Sequence, residues 1–151
     1  MNIPVQKFNI RVYGLLHWEG RVLLSDEHFG GMDITKFPGG GLEWGEGITD
    51  CLKREFFEEL SLEIIPGKLF FINDFFLLSA FNPNHQVIGI YYLVSCNNPE
   101  RIPVANVPFA YAEKAHGSQS FRWIDLKELT PEHFHFPLDK MVAEKLMTSG
   151  V

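Results

Sequence analysis

The run Arg54-Glu55-Phe56-Phe57-Glu58-Glu59 sets one cation beside three carboxylates. If the segment is helical, Glu55, Glu58 and Glu59 stand at i, i+3 and i+4. At about 100° per residue they share one face. Like charges at that spacing repel by about 0.2–0.5 kcal/mol a pair. Carboxylates in the last turns also oppose the helix dipole, by about 0.3–1 kcal/mol each. Such local costs are often accepted where function requires them. A hard divalent cation reverses the balance. Mg²⁺ or Mn²⁺ prefers carboxylate and water oxygens and commonly binds through carboxylates plus substrate phosphates. Taken alone, a Glu-x-x-Glu-Glu run also suits a solvated acidic helix face, so the flanking sequence must decide.

The helix that would carry these acids is expected at Ile48–Leu60. Ile48, Leu52, Phe56 and Leu60 recur every four residues and make an apolar stripe beside the carboxylates. Asp50 falls in the first turn, where a carboxylate is favoured. Upstream, residues 8–18 read as a strand, Glu19-Gly20 as a turn and residues 21–24 as the returning strand. Residues 26–35, with Gly30-Gly31, read as a loop, and Ser25, Asp26 and Glu27 as loop or capping polar groups. Residues 37–42 form a short extended piece with Pro38 and three glycines. Pro66-Gly67 punctuates the chain. Residues 70–81 and 87–95 read as long strands around a turn at 82–85, and residues 99–117 as a long loop. Residues 121–125 make a last strand. Thr130-Pro131 starts a helix by cap and first-turn proline, and Pro137–Met147 closes the chain as a helix. The expected class is α/β (α+β), a mixed sheet with helices at two places. A length of 151 residues without repeat or linker fits one domain over residues 1–151.

Residues 40–62 resemble the Nudix box of the MutT-like Nudix hydrolases. That pattern is a Gly, five residues, a Glu, seven residues, Arg-Glu, an apolar residue, any residue, Glu-Glu, any residue, Gly and an apolar residue. Here it reads Gly40, Glu46, Arg54-Glu55, Phe56, Phe57, Glu58-Glu59, Leu60, Ser61, Leu62. Phe37-Pro38-Gly39-Gly40 before it also looks like the family. Ser61 departs, standing where the family has the Gly that ends the helix. A left-handed conformation there suits Gly, and serine pays on the order of 1 kcal/mol to adopt it.

The resemblance implies an α/β/α sandwich and a role for each matching position. Glu55, Glu58 and Glu59 would bind the divalent metals, with the carbonyl of Gly39 completing a site. Glu55, Glu58, Arg54 and Glu46 form the expected catalytic set. Arg54 would hold the carboxylates by charge-assisted bonds, and Glu46 would join the metal or water network from the loop. Glu55 or a later acid would orient or deprotonate the attacking water. Gly40 and Gly41 would let the backbone approach the substrate phosphates. Many members use an extra acid from a later loop, for which Glu113 is the candidate. The implied cofactor is Mg²⁺ or Mn²⁺. The implied substrate is a small nucleoside diphosphate linked to another moiety: a nucleoside triphosphate, ADP-ribose, a nucleotide sugar or a dinucleoside polyphosphate. Two subfamily markers are absent. ADP-ribose enzymes often carry a Pro where this chain has Leu78, and dinucleoside-polyphosphate enzymes a Tyr where it has Ala80. Homodimers occur in the family.

Two other classes compete. A non-catalytic Nudix-like domain that senses a nucleotide metabolite would be expected to lose box glutamates, and all are present. An isoprenoid-diphosphate isomerase would need a catalytic Cys, and neither Cys51 nor Cys96 has that setting. The net charge of −6 and the lack of a Lys/Arg cluster argue against polymeric DNA or RNA as a partner. Two cysteines outside any close-spaced metal motif suit free thiols in a reduced compartment. Met1-Asn2-Ile3-Pro4 lacks a basic leader, and no apolar run reaches membrane-span length. The expectation is a cytoplasmic protein with no membrane partner. His133 and His135 make an H-x-H pair without a third ligand and are expected at a surface or pocket edge. Trp44, Phe75, Phe76, Phe81 and Tyr111 either pack in the core or line a base or sugar pocket.

Overall fold

The computed structural model describes residues 4–151. Met1, Asn2 and Ile3, on which the leader expectation partly rests, lie outside the described residues. Among the described residues seven strands form one mixed sheet: β1 (Lys7–Trp18), β2 (Arg21–Phe29), β3 (Met32–Lys36), β4 (Gly39–Gly41), β5 (Ile65–Ile72), β6 (His85–Ser95) and β7 (Gln119–Asp125). The main order is β3-β2-β1-β6-β5, with β4 beside β1 and β7 beside β2. β1 and β6 are parallel and the other pairs antiparallel. Helix α1 (Ile48–Leu60) and helix α2 (Pro137–Met147) complete the fold, with single 3₁₀ turns at Pro99–Arg101 and Pro131–His133.

Alternation along β1 builds two cores. Val12 and Leu16 pack with Leu52 and Phe56 of α1. Leu15 packs with Leu138, Val142 and Leu146 of α2. Successive strand residues point to opposite faces, so one strand serves both layers. Burying a ring such as Phe56 stabilises by about 1.5–3 kcal/mol. Gly14 makes room for it: a Cβ there would lie 2.7 Å from the Phe56 Cζ.

β1 has one edge paired with β6 along most of its length. Its other edge is shared. His17 and Trp18 pair with β2, while Arg11–Tyr13 pair with β4. The sheet therefore opens between β2 and β4, and Asn9, Arg11 and Tyr13 look into the opening.

Three expectations need correction. Residues 26–35 are not a loop but the rest of a hairpin, with the turn confined to Gly30-Gly31 at φ 59° and 78°. The polar Asp26 is buried there because Arg122 Nε at 2.7 Å and Thr35 Oγ1 at 2.7 Å both donate to it. The strand expected at 70–81 is displaced to Ile65–Ile72. The Asn73 side chain then takes over the ladder: its Nδ2 donates to the Val87 carbonyl and its Oδ1 accepts from the Gly89 amide. The helix expected from Thr130 is one 3₁₀ turn, and α2 starts at Pro137. No described helix is long and apolar enough to cross a membrane.

Candidate active site

The loop from β4 to α1 and the helix itself are tied together by Arg54. Its Nε and Nη2 donate to the two oxygens of Glu46, at 3.0 and 2.8 Å. Nη2 also donates to the Gly41 carbonyl at 2.9 Å, and Nη1 to Glu55 Oε1 at 2.9 Å. Nη1 reaches Glu58 more weakly, at 3.3 Å, and Glu58 stays 57% exposed. The Arg54 fork and the Glu43 amide hold the Glu46 carboxyl down to about 2. Glu46 in turn is the largest influence raising Arg54 above its ordinary value. Asp50 accepts from the Gly47 amide at 3.1 Å and helps fix the helix start.

Glu59 behaves differently. Burial raises its carboxyl to about 7, with Glu55 and Glu27 adding repulsion against the pull of Lys36 and Gln119. Its Oε2 is buried and has no hydrogen-bond partner among the described residues. An unpaired buried oxygen is costly unless something binds it. Glu55 is held against β4: a Cβ on Gly40 would collide with its carboxylate. Gly39 is equally constrained, since a Cβ there would strike the Val12 carbonyl.

The box residues of the sequence reading thus come together around Arg54, with Glu59 set apart among Lys36, Gln119, Glu27 and Glu55. Gly39 and Gly40 pair with Tyr13 and Val12 of β1, and Gly41 gives its carbonyl to Arg54. Glu113 is exposed on the loop of residues 103–118, its backbone carbonyl accepting from Ser118 Oγ. That loop is strapped to the β2–β3 hairpin through Asp33, which accepts from Lys114 Nζ at 2.8 Å and from the Tyr111 hydroxyl. Lys114 first, then Tyr111 and His28, hold the Asp33 carboxyl far below the usual range. Trp44 is fully exposed, His133 Nδ1 bonds at Thr130 and His135 is exposed. Among the described residues no three His, Cys, Asp or Glu side chains form a ready metal enclosure. Glu55 and Glu58 are instead drawn to Arg54.

On the α2 face of the sheet, β1, β2 and β3 border a cavity of about 310 Å³, lined by Arg11, Tyr13, Phe29, Lys36, Phe81 and Asp139 among others, and Arg11 and Lys36 put it within electrostatic reach of Glu55 and Glu59. That volume is the lower end of the size of small-ligand sites. Lys36 Nζ lies 3.1 Å from Glu27 Oε2. Tyr91 donates to Asp139 Oδ1 at 2.7 Å, and burial raises the Asp139 carboxyl to about 7. Arg11, Glu27, Lys36 and Asp139 escape a reading of sequence because no local motif marks them. The only available hint was two cations and two acids inside otherwise apolar strand and helix patterns.

A NUDIX domain family model matches residues 7–145. The chain belongs to the Nudix family. Solved structures similar to it include a MutT Nudix hydrolase from Burkholderia pseudomallei, 17% identical, with a TM-score of 0.69 over 92% of this chain and 98% of that one. The ORF135 protein of E. coli is 20% identical, with a TM-score of 0.67 over 93% and 89%. A Nudix hydrolase from Nitrosomonas europaea is 22% identical, with a TM-score of 0.64 over 91% and 87%. At these identities the structures establish the Nudix fold, the α+β mixed-sheet architecture expected from sequence.

Proposed function

We propose that this Nudix protein is a pyrophosphohydrolase that uses Mg²⁺ or Mn²⁺ to split a diphosphate bond in a nucleoside diphosphate linked to another moiety. The observation that carries this reading is the Glu59 oxygen, buried and unpartnered beside Glu55. The donor set offered by Glu55, Glu58 and Glu59 is all oxygen, which suits a hard dication. Those three residues would hold it, with the Gly39 carbonyl as a further donor. When bound, a divalent cation neutralises phosphate charge and makes water a better nucleophile.

The chain's own residues supply position and charge. Arg54 clamps Glu46 and Glu55, so that Glu55 is held where it can orient or deprotonate water. Gly40 keeps the backbone thin at that carboxylate. The cavity lined by Arg11 and Lys36 would take the nucleoside, with Phe29 and Phe81 as faces for a flat base. The candidate substrates remain a nucleoside triphosphate, ADP-ribose, a nucleotide sugar or a similar compound. Residues 1–151 would act as one domain, and two free thiols suit the cytoplasm.

The test is a panel of diphosphate compounds assayed with Mg²⁺, with Mn²⁺ and with chelator. Cation-dependent release of phosphate or a nucleoside monophosphate is expected. Tight binding of a nucleotide without turnover of any panel member would point to a sensing domain and would refute hydrolysis.

A further inference from the structure

Arg11 is a cation in an unusual position. It lies mid-strand in β1, half-buried, and faces the cavity that α2 borders. Its Nε donates to the Tyr13 hydroxyl at 3.2 Å. Among the described residues neither of its Nη groups has an acceptor, and it forms no ion pair. Nη1 sits 3.4 Å from where a Cβ on Gly41 would be, so the guanidinium lies at the β4 end of the cavity. Lys36, the second cation on the cavity wall, is 7% exposed and already paired with Glu27. Those two charges offset each other, which leaves Arg11 as the cavity cation without an ion-pair partner among the described residues. Buried charges are normally paired. A planar fork of free donors fits a phosphate group in two-pronged fashion.

We infer that Arg11 is a specificity-determining residue whose free Nη groups bind the phosphate attached to the nucleoside. This rests on the nucleoside occupying the cavity, as proposed above. The placement has a chemical purpose. The glutamates that hold a cation repel an anionic substrate, and a cation on the nucleoside side of the site offsets that repulsion. Substrates lacking a phosphate next to the nucleoside would then bind poorly, whatever their base.

The experiment is calorimetric titration, in chelator, of AMP, GMP, CMP and UMP and of the four matching nucleosides. Wild type, Arg11→Met and Arg11→Lys are compared, with melting curves recorded for each. Charge-assisted bonds of this kind predict a monophosphate preference over the nucleoside of about ten- to a hundredfold in wild type. Arg11→Met should bring that preference close to parity while leaving nucleoside affinity unchanged, and Arg11→Lys should keep part of it. If Arg11→Met does not fold, a reduced preference in Arg11→Lys supports the inference and an unchanged one overturns it. It is also overturned if wild type shows no monophosphate preference, or if Arg11→Met weakens nucleoside and monophosphate equally. Hydrolysis by wild type is measured separately with Mg²⁺. Turnover with an unchanged preference in Arg11→Met refutes this inference and leaves the reaction standing. A lost preference without turnover does the reverse.

Discussion

Arg54 and Glu46 are joined by two parallel hydrogen bonds, Nε to Oε2 at 3.0 Å and Nη2 to Oε1 at 2.8 Å. This fork ties the loop after β4 to the helix that carries the acids. Lysine has the charge but not the fork. Arg54→Lys should therefore lower kcat by roughly ten- to a hundredfold, through misplacement of Glu55, with a smaller effect on KM. Steady-state kinetics on a folded variant checks this. An unchanged kcat would mean that Arg54 does not position the site.

The same pair has a pH signature. Glu46 sits near 2 in the folded chain against 4.5 ordinarily. A carboxylate lowered on folding contributes stability that is complete above about 4.5 and is lost as pH falls toward about 2. Glu46→Gln should reduce the acid sensitivity of the melting temperature in that window.

Asp139 has the opposite sign. Burial raises it to about 7 from 3.8. Its folded form holds a proton that its unfolded form has released, so stability should fall as pH rises from about 4 to about 7. Asp139→Asn keeps the bond from the Tyr91 hydroxyl and should flatten that slope in melting curves taken with chelator. A slope identical to wild type would mean that Asp139 does not supply it.

Gly40 is set by the carboxylate behind it. Gly40→Ala would push a methyl group into Glu55. A drop in kcat of about tenfold or more is expected with the fold retained, because small displacements of a positioned group are costly. Circular dichroism and kinetics together separate this from unfolding.

Ser61 ends α1 in the left-handed region, at φ 50° and ψ 35°, with its amide donating to the Phe57 carbonyl. The departure from the box thus changed the residue but kept the backbone. Ser61→Gly should relieve about 1 kcal/mol. For a chain of this size that is a rise in Tm of about 2–4 °C. No rise would show that serine adopts this conformation without strain.

The helix and its acids were legible because a four-residue apolar repeat and a spaced motif are local signals. Ile48–Leu60 is accordingly a helix at the expected bounds. Which partner each of Glu55, Glu58 and Glu59 takes was not legible. Arg54, one residue before Glu55, captures two of them, and rotamers are not written in spacing. The β2–β3 hairpin was hidden because its polar residues are satisfied by distant partners: Asp26 needs Arg122, which lies far along the chain. The same holds for Asn73, whose amide replaces backbone bonds on β6. Arg11 and Lys36 gain meaning from the opening between β2 and β4, which is a property of topology.

The central claim is that the helix glutamates bind a hard dication. The most direct measurement is titration of the protein with Mn²⁺ followed by electron paramagnetic resonance, with and without a non-hydrolysable nucleotide analogue. Wild type should remove Mn²⁺ signal from solution in a saturable way, more strongly with the analogue. Glu59→Gln should abolish most of that uptake and cut turnover by roughly a hundredfold or more. Equal uptake by wild type and Glu59→Gln, or none by either, would contradict the claim.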